Sequence, residues 1–405
     1  MGMIETFRSV VQFQSLTFDP VERRLRQAAS IEDLRLIAKR RLPHGVFDYI
    51  DGGAEDERSL AANCSAFAGY EFRPRVLRDV SNLDTTTTIL GRQAAMPLIM
   101  APTGFTRIAH SQGELAVARA AARAGIPWSL STMGTRSIEE VAAVSDGEKW
   151  FQVYAWKDRG LIKELVARAK RAGYTAIWLT VDTAMLGRRE RDVRRGMTMP
   201  PKIGLSTIVD GAIHPAWTLD FLRNGPITFA NVVGLHDEDG SSAVTLSEHM
   251  AQQFDQALSW DDIDWLRSIW DGPIVLKGIQ TVADAEIAVG MGVEGLGLSN
   301  HGGRQLDDAP APVDLVEPVR DAVGDGATII CDGGIRRGSD IVKALALGAD
   351  AVSMGRPYFY GLAAAGERGV DHVLDFMRDG LERTMALTGC RAIAEINRDL
   401  VQRRR

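Results

Sequence analysis

The sequence of 405 residues contains little cysteine and no long apolar run. Its three cysteines, Cys64, Cys331 and Cys390, lie far apart, and none belongs to a C-x-x-C pair. An odd number of widely spaced cysteines argues against a disulfide framework and favours a reducing compartment, and the spacing predicts no metal site. No uncharged apolar stretch reaches the roughly 18–20 residues that a membrane-spanning helix needs.

Other missing features narrow the function further. The first residues, MGMIETFRSVVQFQ, lack a basic start followed by a continuous apolar core, so we predict no signal peptide and a cytoplasmic location. A net charge of −6 gives no reason to expect nucleic acid as a partner. The chain has no repeat, low-complexity tract or linker that would mark a second domain. It also lacks a G-x-G-x-x-G fingerprint at a strand–helix turn, which argues against NAD as the cofactor.

Short apolar segments recur along the chain, and several of them are followed by a helical pattern that ends in glycine, as in Gly113–Ala124 and Leu161–Gly173. Eight such segments predict an α/β fold with a closed (β/α)8 TIM barrel. The apolar segments are not strictly alternating, as expected of strands covered on both faces. They are Pro97–Ala101, Pro127–Ser131, Trp150–Tyr154, Ala176–Val181, Pro273–Lys277, Gly295–Ser299, Ala327–Cys331 and Ala351–Met354.

The spacing of these segments also predicts the organisation of the chain. More than ninety residues separate the fourth segment from the fifth, against about twenty to about thirty-five in the other gaps. We therefore predict a long insertion after strand four, at about 203–255. The remaining parts are an N-terminal helical segment (1–90) packed on the barrel, the barrel itself (91–385) and a C-terminal tail (386–405).

Polar residues and glycines follow all eight predicted strands. Catalytic groups of such barrels lie at the carboxyl ends of the strands, so these residues are expected to meet around one site. In strand order they are Thr103 and Gly104, Ser131, Gln152 and Tyr154, Thr180 and Asp182, Lys277, Ser299, Asp332 to Gly334, and Gly355 with Arg356.

The segment SNHGGRQLDDAPAP (Ser299–Pro312) is the most informative of these ends. His301 and Arg304 lie three residues apart around two glycines. An imidazole is the usual group for moving a proton near neutral pH, and the planar fork of arginine matches the two oxygens of a carboxylate. The segment therefore predicts a base and a carboxylate-binding group on one loop.

This segment resembles the signature of the FMN-dependent 2-hydroxy-acid dehydrogenase and oxidase family, which includes glycolate oxidase and the lactate and mandelate dehydrogenases. The similarity extends from about Ile31 to Asp399 without large gaps, and it is greatest to the membrane-associated lactate and mandelate dehydrogenases. Its other motifs are FDYIDGGAED (Phe47–Asp56), PLIMAPTG (Pro97–Gly104), WFQVY (Trp150–Tyr154), LTVDTAMLGRRERD (Leu179–Asp192), VLKGI (Val275–Ile279) and CDGGIRRGSDIVKALALGAD (Cys331–Asp350).

The resemblance implies an enzyme that oxidises an L-2-hydroxy acid to the 2-keto acid. His301 would be the base and Asp182 its carboxylate partner. The α-hydrogen would leave as a proton or as a hydride ion, and both routes use the same base. Arg304 and Arg189 would bind the substrate carboxylate. Hydrogen bonds to the substrate would come from Tyr49 and Tyr154.

The resemblance also implies a binding site for FMN. Lys277 would lie beside the N1/O2 edge of the flavin, where negative charge accumulates on reduction. Ser131, Gln152 and Thr180 would hydrogen-bond to the ring, and the backbone at Thr103 and Gly104 would lie along it. The ribityl and phosphate groups would be bound after strands seven and eight, by Asp332, Gly334, Arg336, Gly355 and Arg356. Ser299 would be a further cofactor-binding residue.

Two departures bear on the substrate. Met133 stands where the oxidases often carry an aromatic residue, and Gly104 where they typically have alanine. Both changes enlarge the pocket, so L-lactate or a bulkier acid such as L-mandelate is favoured over glycolate. We favour L-lactate, with a quinone or a cytochrome as electron acceptor. An oxygen-using oxidase or a lactate monooxygenase remains the alternative.

The segment from His214 to Leu235 resembles the insertion of the membrane-associated relatives. Its apolar side chains fit either a lid on the barrel or a peripheral contact with the inner face of the cell membrane. By resemblance we expect a homotetramer. Two rival functions, a non-catalytic flavin-binding barrel and an FMN-dependent isomerase, leave His301, Asp182 and the paired arginines unexplained.

Overall fold

Eight parallel strands form the barrel that the sequence predicts. The computed structural model describes residues 17–196, 204–232 and 253–404. The strands are β1 (Leu98–Met100), β2 (Trp128–Ser131), β3 (Lys149–Tyr154), β4 (Ala176–Thr180), β5 (Ile274–Ile279), β6 (Gly295–Ser299), β7 (Thr328–Asp332) and β8 (Ala351–Met354). Strands β1 to β8 pair in chain order, and β8 pairs with β1 to close the barrel. The predicted fold class is confirmed.

Helices cover the outside of the barrel, and local capping residues set their ends. Asp158 accepts a hydrogen bond from the N–H of Leu161 at the start of one helix, and Ser137 forms a capping box with Glu140 at another. Within the described residues the α-helices are α1 (Pro20–Arg26), α2 (Ile31–Arg41), α3 (His44–Asp51), α4 (Arg58–Ser65), α5 (Gly113–Ala124), α6 (Ile138–Val144), α7 (Arg159–Arg171), α8 (Glu190–Arg195), α9 (Leu205–Ile213), α10 (Pro215–Arg223), α11 (Asp261–Ile269), α12 (Val282–Gly290), α13 (Pro312–Val323), α14 (Gly338–Ala346), α15 (Arg356–Ala365) and α16 (Glu367–Thr388).

The apolar core is divided between the inside of the barrel and the layer under the helices. Trp150 and Trp178, whose ring centroids lie 5.8 Å apart, pack inside with Ile99 and Val275. Ile89, from the short antiparallel pair 87–89 and 92–94, joins the same cluster. Because Trp150 lies near the start of its strand, this packing fills the amino end of the barrel. The carboxyl end is left for polar groups.

The regions before and after the barrel pack on it and on each other. Helix α2 contacts α15, and strand 70–72 pairs antiparallel with strand 401–403. The boundary predicted at 385 falls inside α16, which ends at Thr388. Leu381 and Met385 are buried, so the apolar spacing of this helix continues across the boundary and no break is expected there. Residues 1–16 of the predicted N-terminal segment lie outside the described residues.

The described part of the insertion after β4 contains α9 and α10, and its positions 203 and 233–252 lie outside the described residues. One side of α10 is fixed to the segment after β1: Trp217 donates to the carbonyl of Ile108 (2.7 Å), and the N–H of Ser111 donates to Asp220 (2.8 Å). The insertion also exposes several apolar side chains: Leu205, Ile208, Val209, Ile213, Leu219, Phe221 and Leu222. Among the described residues, no helix has the length and apolar character needed to cross a bilayer.

Candidate active site

The carboxyl ends of the strands open into one cleft, with an empty volume of about 1310 Å³ that includes open solvent. Most of the predicted site residues line it: Tyr49, Thr103, Gly104, Tyr154, Arg189, Lys277, His301, Arg304, Asp332, Gly334, Arg336, Gly355 and Arg356. The other predicted residues are Ser131, Gln152, Thr180, Asp182 and Ser299. They lie behind the lining and are connected to it by hydrogen bonds.

His301 and Asp182 form a close pair at the ends of β6 and β4. His301 Nδ1 lies 2.9 Å from Asp182 Oδ1, and the His301 N–H donates to Ser299 Oγ (3.0 Å). Burial lowers the pKa of His301 although the Asp182 carboxylate opposes the shift. Burial raises the pKa of Asp182, but the electrostatic interaction and the hydrogen bond with His301, together with the charge of Lys277, outweigh burial and lower the pKa. The result is a neutral imidazole that has a carboxylate at Nδ1 and leaves Nε2 for a ligand.

Two arginines make one end of the cleft electropositive. Arg304 Nη1 donates to the carbonyls of Tyr49 (2.7 Å) and Gly52 (3.0 Å). The guanidinium carbons of Arg304 and Arg189 lie 5.2 and 5.9 Å from the centre of the Tyr49 ring. Burial and the nearby charge of Arg189 lower the pKa of Arg304 to about 9. Asp192 offsets this charge in part, with Oδ2 3.6 Å from Arg189 Nε. This arrangement suits a carboxylate ligand.

Tyr154, at the end of β3, contributes a phenol to the same cleft. Burial, together with the charges of Asp182 and Tyr49, raises its pKa above the usual value of a tyrosine. The phenol therefore remains protonated and can donate a hydrogen bond. Its ring packs edge-on against Phe254, with 5.2 Å between the ring centroids.

Lys277 places a buried positive charge at the end of β5. Its Nζ lies 3.1 Å from Ser299 Oγ and 3.1 Å from Asp332 Oδ2, and Ser299 Oγ donates to the same carboxylate oxygen (2.7 Å). Burial lowers the pKa of Lys277, but the carboxylates of Asp332 and Asp182 outweigh burial and raise it. The ammonium group is therefore a fixed cation in the cleft, and its partners offset the cost of burying it.

Behind the lining, three side chains connect β2, β3 and β4. Ser131 Oγ donates to Gln152 Oε1 (2.9 Å), and Gln152 Nε2 donates to Thr180 Oγ1 (2.9 Å). Ser131 Oγ also accepts from the N–H of Met133 (3.1 Å), a residue that lines the cleft. The chain of hydrogen bonds thus holds the backbone under one side of the cleft.

The ends of β7 and β8 form a glycine-rich pocket within the cleft. Gly334 has φ +79°, and a Cβ there would lie 1.9 Å from the carbonyl oxygen of Asn63, so a larger residue would not fit. Gly355 begins α15 without a side-chain cap, which leaves the first N–H groups of this helix for a ligand. Ser353 Oγ is buried and, among the described residues, has no hydrogen-bond partner. These features suit an anionic group.

Arg356, which the resemblance assigns to the phosphate site, also hydrogen-bonds to the protein backbone. Its guanidinium donates to the carbonyls of Ile50 (3.1 Å), Gly302 (2.9 Å) and Gly52 (2.8 Å). The side chain therefore ties the end of α3 to the segment after β6. Three of its five N–H donors are used in this way, and two are left over.

Sequence reasoning missed part of the apolar lining. Phe105, Leu186, Phe229 and Phe254 line the cleft, and the ring centroids of Phe105 and Phe229 lie 5.6 Å apart. Phe105 directly follows the predicted Thr103 and Gly104, so its place could have been inferred. Phe254 is far from Tyr154 in the chain, and no local pattern indicates that the two rings meet.

This arrangement defines a class of barrel enzymes that act on small organic acids, with a base, an electropositive end for a carboxylate and a second anion pocket beside a buried lysine. The chain belongs to the FMN-dependent dehydrogenase family, which matches residues 38–403.

Individual relatives agree with this assignment. The chain is 46% identical over 398 residues to a putative L-lactate dehydrogenase of Mycobacterium tuberculosis, covering 98% of this chain and 94% of the relative. It is 45% identical over 372 residues to glycolate oxidase of Spinacia oleracea, covering 92% and 95%. The crystal structure of the monotopic membrane protein (S)-mandelate dehydrogenase matches with a TM-score of 0.90 and 40% identity, covering 93% of this chain and all of that one.

The predicted family, enzyme class and cofactor are thereby confirmed: this is an FMN-dependent enzyme of the 2-hydroxy-acid dehydrogenase and oxidase group. The cleft also fits FMN on structural grounds. It contains a pocket for an anion at the start of α15, the unpartnered hydroxyl of Ser353 and the buried cation of Lys277.

Proposed function

We propose that this enzyme oxidises an L-2-hydroxy acid with a bulky apolar substituent to the 2-keto acid, and that the electrons pass to an acceptor at a membrane surface. The observation that supports a bulky substrate is the apolar lining of the cleft, formed by Phe105, Met133, Leu186, Phe229 and Phe254. The methyl group of L-lactate, which sequence analysis favours, would cover little of this surface. An aromatic or long aliphatic substituent would cover much more.

FMN supplies the two-electron oxidant when it is bound. For the flavin ring we assign the backbone at Thr103 and Gly104, the hydrogen-bonded set Ser131, Gln152 and Thr180, and the Lys277–Ser299 pair. For the ribityl and phosphate groups we assign Asp332, Gly334, Arg336, Gly355 and Arg356. The support is their grouping in or directly behind one cleft.

Arg304 and Arg189 bind the substrate carboxylate in this proposal, because the carboxylate offsets two neighbouring, partly buried positive charges. Tyr154 and Tyr49 donate hydrogen bonds to its oxygens. His301 Nε2 then accepts one proton from the substrate, either from the α-carbon or from the hydroxyl group. Asp182 stabilises the imidazolium that forms, at the 2.9 Å contact with Nδ1.

Lys277 acts through its charge. Its Nζ is held by Ser299 and Asp332, so it cannot turn away from the cleft without losing both contacts. A cation fixed in advance stabilises negative charge that develops beside it and requires no reorganisation during the reaction.

The insertion supports the proposal of a membrane acceptor. Leu205 and Leu222 are 78% and 70% exposed, whereas α10 is fixed to the barrel through Trp217 and Asp220. An element anchored to the barrel that exposes several apolar side chains suits shallow contact with a bilayer. A quinone or cytochrome at the inner face of the cell membrane would be the acceptor, and oxygen is the alternative.

A substrate panel tests this function. L-lactate, glycolate, L-mandelate and L-2-hydroxyoctanoate are each assayed with oxygen and with a quinone analogue. We expect kcat/KM for the two bulky acids to exceed that for L-lactate by about tenfold or more. Phe229→Ala should reduce kcat/KM for L-mandelate more than for L-lactate. L-lactate as the best substrate, or oxygen as the fastest acceptor, would contradict the proposal.

A further inference from the structure

The catalytic groups proposed above lie on two separate segments of the chain. Asp182 and Arg189 belong to the segment after β4, whereas His301 and Arg304 belong to the segment after β6. Besides the contact of His301 with Asp182, one side chain connects these segments within the described residues: Gln305. Its Nε2 donates to the carbonyls of Asp182 (2.8 Å) and Met185 (2.8 Å), and its Oε1 accepts from the N–H of Gly187 (3.0 Å).

The segment after β4 has few other backbone connections. At its start, the N–H of Val181 donates to the carbonyl of Lys277 (2.9 Å), and at its end the carbonyl of Arg188 accepts from Glu55 (2.9 Å). Between these two points, within the part of the chain that the structure describes, the backbone hydrogen bonds to other segments all go to Gln305.

The two segments are also in close backbone contact. A Cβ on Gly187 would lie 2.3 Å from the carbonyl oxygen of Arg304 and 2.6 Å from the Cα of Gln305. The backbones of the two segments are therefore in direct contact, without an intervening side chain. The bonds of Gln305 fix how they lie against each other, and with them the distance from Asp182 to His301.

We propose that Gln305 is a positioning residue for the reaction: its amide holds the segment with Asp182 and Arg189 against the segment with His301 and Arg304. This inference rests on the proposed roles of those four residues. A primary amide is the chemistry required, because the site presents two carbonyls and one N–H to a single side chain. A carboxylate would satisfy the N–H but would face two carbonyl oxygens, and an apolar side chain would satisfy none of the three.

The test compares Gln305→Leu with Gln305→Glu in the FMN-loaded protein. For Gln305→Leu we expect kcat/KM to fall about 10²-fold, as for other small misplacements of catalytic groups. Binding of oxalate, a carboxylate probe followed through the flavin absorbance, should weaken about tenfold. For Gln305→Glu, the activity relative to the parent should rise as the pH is lowered from 8 to 5.5, since a protonated carboxyl can donate to one carbonyl. The ratio for Gln305→Leu should not change with pH.

Gln402→Leu is the matched control. Gln402 donates to Glu71 from an exposed strand, so its removal should leave kcat/KM within twofold. FMN content and the visible spectrum should match the parent in all variants. A value of kcat/KM for Gln305→Leu within threefold of the parent, or a pH-independent ratio for Gln305→Glu, would overturn the inference. A parent enzyme that oxidises no 2-hydroxy acid would instead overturn the proposed function.

Discussion

Two regions at the same end of the barrel are built in opposite ways. In the segment Ser299–Gln305, polar side chains point inward and are held by partners in the protein: Ser299 by Asp332, His301 by Asp182, and Arg304 by the carbonyl of Tyr49. In the insertion, residues 204–232, apolar side chains such as Leu205 and Leu222 point outward and are exposed.

This difference suits the first region for the reaction and the second region for contact with another surface. Buried polar groups are costly unless they are hydrogen-bonded, so their presence in the first region indicates a function that needs them there. Covering exposed apolar groups is favourable, so the second region fits the contact with a membrane surface that we propose. Variants in the first region should therefore affect catalysis, and variants on the exposed face of the second should affect association.

The largest effect is expected for His301→Gln. Removing the base should lower kcat/KM by about 10²–10⁴-fold or more, while FMN stays bound, because the cofactor pocket is unchanged. His372→Gln is the control: His372 contacts the carbonyl of Ala28 away from the cleft, and its loss should leave activity within twofold. Activity of His301→Gln within tenfold of the parent would mean that this region does not contain the base.

Lys277→Met should have the next largest effect. The loss of a fixed cation should lower the reduction potential of the bound flavin and slow its bleaching by substrate by about 10²–10³-fold, with a smaller change in substrate binding. Lys343→Met removes a lysine that donates to the carbonyl of Phe67 outside the cleft, and should change neither quantity. An unchanged potential in Lys277→Met would make this lysine structural.

The pH dependence tests the environment of the base. His301 must be neutral to accept a proton, and burial lowers its pKa below the ordinary 6.5. We therefore expect kcat/KM to be constant from about pH 6.5 to about pH 8, where Arg304, with its pKa of about 9, still carries its charge. Below the pKa of His301, kcat/KM should fall about tenfold per pH unit. In Asp182→Asn the lost attraction should move this decline to still lower pH. A decline that begins above pH 7 in the parent would contradict the inferred neutral state.

The smallest effect distinguishes the packing of the cleft lining from that of the insertion. A Cβ on Gly104 would lie 2.8 Å from the Cβ of Met133, so Gly104→Ala should destabilise the fold by about 1–3 kcal/mol. In the insertion, Gly211 lies within α9 and meets only an ordinary contact with Thr218. Gly211→Ala should be neutral or stabilising by about 0.5–1 kcal/mol. Thermal unfolding of the two variants measures these changes in stability. Shifts in Tm of equal sign and size would contradict the predicted difference.

Sequence predicted the first region better than the second, and the reason is physical. The strands and the polar residues at their ends follow from local periodicity and from the geometry of parallel barrels. The ends of β6 and β8 were placed to the residue, at Ser299 and Met354. The guanidinium bonds of Arg356 and the place of Phe254 could not be predicted, because they depend on segments distant in the chain.

The apolar residues of the insertion were ambiguous for a similar reason. Composition cannot tell which of them pack on the barrel and which stay exposed. In the structure Trp217 and Phe229 pack inward and Leu222 does not. Similarly, the amide contacts of Gln305 join two loops whose approach no local pattern encodes.

One pair of measurements on a single variant tests the division between the two regions most directly. The variant replaces three exposed side chains of the insertion, Leu205→Ser, Ile208→Ser and Leu222→Ser. We predict that it no longer sediments with vesicles of mixed zwitterionic and anionic lipid, while L-mandelate bleaches its flavin at the rate of the parent within twofold. Unchanged vesicle binding, or bleaching slowed tenfold or more, would contradict the account.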